Sequence, residues 1–422
     1  MAIPQTNWAG NVTFGAARIH RPGTVGQLQE LVASSAAVRA LGSGHSFSPI
    51  ADTTGDLISL DDLPRTVRID EVNRTVTVGA AIRYGELAAR LDQAGYALPN
   101  LASLPHISVA GACATGTHGS GDGNGCLATA VSSVELVMAD GTLLTVSRGA
   151  DGDVFPGMVV ALGALGILTR MTLDIQPAFI MRQWVYQDLP RRQLDAHFAE
   201  IFASAYSVSV FTDWRPPYAS RVWLKQRAEA GQHDASRRPP SRWLEARLAD
   251  VPLNPVPAVP PDNVTQQLGV PGPWQERLPH FRPGYTPSSG DELQSEYLVP
   301  RGLAVEALAA LDPIADRIAS VLQIAEIRTV AADDEWLSLA YQRDSAAFHF
   351  TWRKDPATVT PVLAAIEERL APFAARPHWG KLFVMEPTAL YPRLPDFRKL
   401  LTRYDPAGKF RNDFINRNVI GR

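Results

Sequence analysis

The pattern of apolar and polar positions along this chain changes near residue 177. Before it, short apolar runs alternate with helical periodicities. Thr24 to Ala36 sets Leu28, Leu31 and Val32 on one face behind a candidate N-cap at Thr24, which predicts a helix. Val38 to Leu41 predicts a short buried strand. Thr66 to Asp70 and Thr75 to Gly79 alternate around the polar turn Glu71 to Arg74 and predict a hairpin. Tyr84 to Ala94 predicts a helix ended by Gly95. Ser133 to Met138 and Thr142 to Ser147 flank Asp140-Gly141, a second hairpin signal. Gly163 to Gln176 reads as loop then strand, closed by Pro177.

Beyond 178 the segments lengthen. Met181 to Gln187 and Ser207 to Asp213 predict strands, with a helix over Arg192 to Ser204 between them. Of the 33 prolines, 12 fall between Pro239 and Pro287. Proline removes a backbone donor and fixes φ, so a long irregular excursion is expected there, a lid or a brace. Glu292 to Val299, Val321 to Val330 and Ala346 to Arg353 predict strands. Leu303 to Ser320 and Pro361 to Leu370 predict helices, and the tail from Arg376 reads as short elements.

A chain of 422 residues is too long for one core, so two or three domains are expected. With 45% apolar and 20% charged residues the composition is that of an ordinary globular protein. A net charge of -3 speaks against a nucleic-acid or anionic-membrane partner. No apolar run reaches the roughly 18 residues of a bilayer span. The first residues, Met1 to Trp8, carry neither the basic nor the apolar region of a secretory signal. Cys113 and Cys126 cannot make a disulfide framework and are expected as small buried residues. A cytoplasmic monomer is the expectation, which leaves the Asn11, Asn73 and Asn263 sequons without meaning. No Cys/His/Asp cluster has metal-ligand spacing, so no metal is expected, and no Gly-x-Ser-x-Gly elbow points to a hydrolase.

Two small-residue loops carry the candidate chemistry. Leu41-Gly42-Ser43-Gly44-His45-Ser46 is a tight glycine loop with a histidine at its tip. Most such loops are ordinary turns, but glycine also lets backbone amides approach a phosphate or a ring. Ala102 to Gly121 holds four glycines and almost no charge. It could present amides and hydroxyls to an anion, or pack between two sheets. It is neither a Walker A loop nor a dinucleotide fingerprint.

A third constellation lies on strands. Residues two apart on a strand share a face, so Glu326 points with Arg328 and His349 with Thr351. If the strands pair, four polar groups line one face, with Ile327, Thr329, Phe348, Phe350 and Trp352 behind. The plain alternative is an exposed face with a surface ion pair of about 0–1 kcal/mol. A ligand with a row of hydroxyls, each both donor and acceptor, would match such a wall. Glu326 accepts, Arg328 and Lys381 donate, and Thr351 and Ser103 do either. Hydrogen bonds to charged groups contribute about 1.5–3 kcal/mol each.

Taken together, Gly42-Ser43-Gly44-His45-Ser46, Pro105-His106-Ile107-Ser108-Val109-Ala110-Gly111 and Gly116-Thr117-His118-Gly119-Ser120-Gly121 resemble the FAD-binding domain of vanillyl-alcohol oxidase-type (PCMH-type) flavoproteins. Thr212-Asp213-Trp214-Arg215, Gly272-Pro273-Trp274, Glu326-Ile327-Arg328, His349-Phe350-Thr351 and His378-Trp379-Gly380-Lys381 look like the alditol oxidase branch. The resemblance implies a two-domain α/β (α+β) flavoenzyme. Residues 1–177 would bind FAD, 178–370 would form a substrate domain on a large mixed or antiparallel sheet, and 371–422 would return to the FAD domain.

The resemblance also implies FAD bonded covalently through His45. Ser103 and Leu104 precede Pro105 where some relatives have a second linking cysteine, so a single link is expected. FAD contacts are implied for Ala40, Leu41, Gly42, Ser43, Gly44 and Ser46, and for Ser103, Ser108, Gly111, Thr115, Gly116, Thr117 and His118. Ile167 and His378 complete the set, with His106 a further neighbour of the flavin loop. The reaction implied is hydride transfer from substrate C1 to flavin N5, aldose formation, and reoxidation by O₂ to hydrogen peroxide. Lys381 and His349 are the candidates for activating the hydroxyl, beside Glu326 and Arg328. A sugar-lactone oxidase or dehydrogenase on the same fold, or a non-catalytic flavin- or sugar-binding module, are the alternatives. His20, His197, His233 and His280 receive no role.

Overall fold

A computed structural model describes residues 5–215, 218–228, 238–257, 259–285 and 290–421. His233 and the end of the proline-rich stretch at Pro287 lie outside the described residues.

The N-terminal part carries two main sheets and a two-stranded one that pairs Gln176–Pro177 with Tyr96–Ala97. Arg18–His20, Asp56–Ser59 and Val38–Leu41 pair in parallel, with Asp56–Ser59 in the middle. A five-stranded antiparallel sheet runs Val67–Asp70, Thr75–Gly79, Ile167–Asp174, Val131–Val137, Leu143–Ser147. Both hairpins expected from the sequence are there. The helix Val25–Ser34 starts at Thr24, whose hydroxyl accepts from Gln27 N. Tyr84–Gln93 is helical as expected and buries Leu87 and Leu91. Cys113 and Cys126 are buried free thiols.

The second part is built on a ten-stranded sheet. Its central antiparallel order is Ile180–Pro190, Tyr218–Ala228, Ser207–Thr212, Leu322–Val330, Ser345–Arg353, Glu292–Pro300 and Arg376–Pro377. One face packs Val208, Val222, Ile327, Phe348, Phe350 and Trp352 against helices that bring Phe202, Leu308, Ile318 and Ile366. This is a continuous apolar core, separate from the one formed largely by residues 28–181 and 379–419. The opposite sheet face carries the polar side chains.

Several expectations are corrected. Arg192 to Ser204 is two short helices, Arg191–Ala196 and Phe198–Ala203, broken at His197. Leu303 to Ser320 is Ala304–Leu311 and Ala315–Val321, joined by a 3₁₀ turn at Pro313, which cannot donate in a continuous helix. The last long helix is Pro356–Leu370, five residues earlier than expected. Asp355 caps it, and Pro361 sits inside. The tail contains an unanticipated helix, Leu394–Tyr404, with Leu394, Phe397, Leu400 and Leu401 buried. Tyr218–Ala228 is a full central strand. Its stretch from Val222 to Lys225 is buried on both faces and so carries no alternation.

Among its described residues the proline-rich excursion contains only short strands (Arg242–Trp243, Ala246–Leu248, Gly272–Pro273) and 3₁₀ turns. It folds over the polar sheet face. His280 N and Phe281 N both donate to Ser103 O, at 3.1 and 3.3 Å, so its end is pinned to the second small-residue loop.

Candidate active site

A cavity lies between the two small-residue loops and the polar face of the large sheet. Its loop side is a cradle made by closeness of backbone. Gly42 faces Ser108, and a Cβ on Gly42 would lie 2.6 Å from Ser108 Oγ. Ser108 N donates to Ser43 Oγ at 3.2 Å, which locks the loops together. The second loop is stitched to the sheet by Gly121 N to Thr329 O at 2.9 Å and by Ser120 Oγ to Val208 O. At Gly121 φ is +132°, and a Cβ would fall 2.3 Å from Tyr206 O, so only glycine fits.

His45 stands at the mouth of this cradle. Its ring stacks on Trp8, with centroids 4.6 Å apart and planes at 21°. Trp8 N donates to Gly44 O at 2.8 Å, so an N-terminal hook holds the imidazole flat. Burial, then His106 and Arg83, pull His45 down to about 4, leaving the ring neutral at pH 7. Its Nε2 is buried and unpartnered, and so is Ser108 Oγ.

Of the positions singled out from the sequence, Ala40 to Ser46, Ser103, Ser108, Gly111, Thr115, Thr117, His118 and His378 line the cavity. Gly116 and Ile167 do not. Gly116 sits behind the wall against Leu339, and Ile167 is buried between the lining residues Gly166 and Leu168. Glu326, Arg328, His349, Thr351 and Lys381 all line the opposite side. Trp214 and Trp274 do not reach it. They pack against Phe350 and Phe179 respectively.

The sheet register explains the polar side. Glu326 pairs with His349, and His349 pairs with Glu296 on the next strand, so three ionisable groups stand abreast. Arg328 lies opposite Ala347, whose methyl leaves the guanidinium room to lean across and donate to Glu296. Lys381 Nζ donates to Glu296 Oε2 at 2.5 Å and to His349 Nδ1 at 2.8 Å. His118 Nε2 lies 3.4 Å from Glu296 Oε1. His349 Nε2 lies 3.2 Å from Thr351 Oγ1. His280 Nε2 lies 2.8 Å from Glu326 Oε1.

Glu296 and His280 escaped sequence reasoning. The same rule that paired Glu326 with Arg328 sets Gln294 and Glu296 on one face of Glu292–Pro300, so a signal for Glu296 was present. None existed for His280, which arrives from the excursion.

Burial alone would raise the Glu296 carboxyl, but Lys381 and Arg328 outweigh it and hold it well below the usual range. The Glu326 carboxyl is likewise raised by burial and lowered further by Arg328 and His280, so it too is ionised. Burial and then Lys381 push His349 well below the ordinary histidine range. His378 is lowered the same way, and its Nδ1 accepts from Gly380 N at 3.0 Å, which places its proton on Nε2. Burial also lowers Lys381, against the pull of Glu296.

Comparison with known proteins accords with this geometry. A family described as FAD binding domain matches residues 16–147, and one described as D-arabinono-1,4-lactone oxidase matches residues 291–418. The alditol oxidase of Streptomyces sp. (strain IKD472 / FERM P-14339) is 52% identical over 421 residues, covering 98% of this chain and 99% of that protein. The chain belongs to the alditol oxidase family. More distant relatives include the L-gulono-1,4-lactone dehydrogenase of Mycobacterium tuberculosis (strain ATCC 25618 / H37Rv), 28% identical with 99% of each chain covered. The fold is that of cholesterol oxidase from B. sterolicum, with a TM-score of 0.76 at 15% identity over 98% of this chain and 96% of that one. As an alditol oxidase family member the chain is an FAD-dependent oxidoreductase. Its glycine cradle, unpartnered His45 Nε2 and free Ser108 hydroxyl fit that cofactor. No helix among the described residues is long and apolar enough to cross a membrane.

Proposed function

We propose that this protein oxidises the terminal hydroxyl of alditols such as xylitol and sorbitol to the aldose, with O₂ reduced to H₂O₂. The observation that carries the reading is the abreast row Glu326–His349–Glu296 with Lys381 between two of its members, facing the glycine cradle. The row supplies donors and acceptors together, as a chain of neutral hydroxyls requires. Residues 1–177 and 371–422 form the cofactor part and 178–370 the substrate part. The two cores and the return of 379–419 into the first core support that division.

The cofactor, bonded to the neutral His45 imidazole, supplies a two-electron acceptor for the carbinol hydrogen. The protein positions and polarises. Lys381 gives two of its three N–H groups to Glu296 and His349, which leaves the third for the reacting hydroxyl oxygen. His349 is neutral, so its Nδ1 takes a proton from Nζ, and the Nζ lone pair this frees takes the hydroxyl proton, which restores the ammonium and leaves His349 an imidazolium. Glu296 then balances the charge gained. Glu326, Arg328, Thr351 and Ser103 hold the remaining hydroxyls.

Anaerobic mixing with xylitol bleaches the bound flavin, and air with xylitol releases peroxide. L-Gulono-1,4-lactone is the comparator. Bleaching by the lactone and not by xylitol makes the protein a lactone enzyme. No bleaching by either leaves it a passive binder. Colour that stays with an acid-precipitated pellet, mapped to His45, tests the covalent link.

A further inference from the structure

Behind the polyol wall lies a buried lysine that the reaction scheme leaves unused. Lys225 sits on the central strand Tyr218–Ala228 and is 1% exposed. Among the described residues no carboxylate pairs with it. Its Nζ donates to Leu278 O, to Pro279 O at 3.2 Å and to His280 Nδ1 at 2.9 Å. The far nitrogen of that ring, Nε2, is 2.8 Å from Glu326 Oε1. Lysine, histidine and glutamate thus form one line from the interior of the sheet to the pocket.

We propose that Lys225, acting through His280, fixes the orientation and ionisation of Glu326 and so sets the pH range in which the pocket holds a polyol tightly. The inference rests on the reading in which Glu326 binds a substrate hydroxyl. Lys225 and His280 are positioning residues in it.

The chemistry follows from counting protons. An ammonium only donates, so His280 Nδ1 accepts. Burial, then Lys225, pull His280 down to about 4, so near neutral pH the ring carries a single proton. That proton must sit on Nε2 and point at Glu326. If Lys225 loses a proton, its two remaining N–H groups stay with the carbonyls of Leu278 and Pro279. Its lone pair then faces the lone pair of Nδ1. Moving the ring proton to Nδ1 relieves this contact but turns a bare Nε2 toward the carboxylate. One of the two contacts fails, and Glu326 loses its donor.

The charged groups facing Lys225 are Glu326, which favours the ammonium, and Arg328, which opposes it. The strand partners across from it, Gln183 and Ser207, are neutral. Around His280 stand Ser209, Phe211, Trp223 and Phe281, none of them charged, while Arg328 adds to the effect of Lys225 in lowering it and Glu326 opposes both. Burial dominates and brings Lys225 down to about 7, which places the change near neutrality.

A lysine that merely ties down the turn at 278–280 predicts no such pH dependence. Anaerobic stopped-flow reduction of the holoenzyme by xylitol separates the two. From roughly pH 6 to 9 the wild-type apparent dissociation constant should rise about tenfold, the loss of one hydrogen bond to a charged group, with a smaller change in the limiting rate. Lys225→Met removes the titrating group and should flatten the profile. His280→Gln should flatten it too, because its carbonyl accepts from Lys225, its amide donates to Glu326, and no proton can relocate. Variants that keep the wild-type slope overturn the proposal. Nitrogen-15 spectra of histidine-labelled wild-type protein read the same event directly. His280 Nδ1 should change from acceptor to donor across this pH range, and an unchanged tautomer overturns the proposal whether or not the variants fold. If xylitol reduces the flavin at no pH, the assigned activity fails, while the spectra still decide the role of Lys225.

Discussion

Glu296 is the residue on which the pocket's charges converge. It accepts from Arg328 and Lys381 and is itself fully enclosed. Replacing it with glutamine leaves two buried cations short of an anion, which costs about 3–5 kcal/mol in comparable cases. Glu296→Gln should therefore lower the midpoint of denaturant unfolding at pH 7. Because the folded-state carboxyl is held below its ordinary value of 4.5, its contribution is present above that pH and fades as the pH falls through the lower folded value. The stability gap between wild type and Glu296→Gln should accordingly narrow in acid. Lys381 is the complementary case. Lys381→Ala should slow reduction by xylitol about 10²–10⁴-fold, the usual scale for proton-transfer groups, while the protein stays yellow. A normal reduction rate would remove Lys381 from the scheme. With His349 pushed well below 6.5 by burial and Lys381, the proposed base stays neutral through the ordinary histidine range. The limiting reduction rate should show no acid limb between roughly pH 6 and 7.

At the scale of elements, the site was legible where period-two spacing met a strand. Glu326 with Arg328 and His349 with Thr351 were placed on one face before any pairing was known, and the register sets Glu326 beside His349. What sequence spacing could not supply was the third strand, because adjacency in a sheet is a property of topology and not of local pattern. The lysine strand Tyr218–Ala228 was hidden for another reason, since its stretch from Val222 to Lys225 is buried on both faces and loses its alternation. The proline-rich excursion was legible as irregular, but its docking on Ser103 was not. The glycine loops offer a direct test. Gly42→Ala puts a methyl 2.6 Å from Ser108 Oγ and should reduce the flavin content of purified protein. Adding Ser108→Ala removes the obstructing oxygen, and flavin content should recover in part, short of wild type because the hydroxyl offered to the cofactor is gone, a coupling expected of residues in contact.

Across the whole molecule, a few buried polar groups tie distant segments together. Arg39 donates to Gly163 O at 2.9 Å, Leu162 O at 2.8 Å and Phe410 O at 2.8 Å, and also to Ile50 O. Four carbonyls from three parts of the chain accept from one guanidinium, which burial brings down to about 10, and Ile50 O also accepts from Asn412 Nδ2 at 3.1 Å. Arg39→Met should destabilise by several kcal/mol, at about 1–3 kcal/mol for each carbonyl left unpaired, read as a fall in the unfolding midpoint. The His378–Lys381 segment makes a second join. His378 N donates to Glu296 O at 2.9 Å, while Phe47 N donates to Gly380 O at 2.7 Å, so one short stretch holds the ten-stranded sheet and the glycine loop at once.

That late stretch has a consequence for biogenesis. Lys409 O accepts from Val38 N, and Lys409 Nζ reaches Val32 O and Ala139 O, so the wall beside the first loop is finished by residues translated hundreds of codons after it. A nascent chain halted after residue 370 would expose an unfinished groove to the ribosome's surroundings. Chains stalled there should therefore capture no flavin, whatever the supply of riboflavin in the cell.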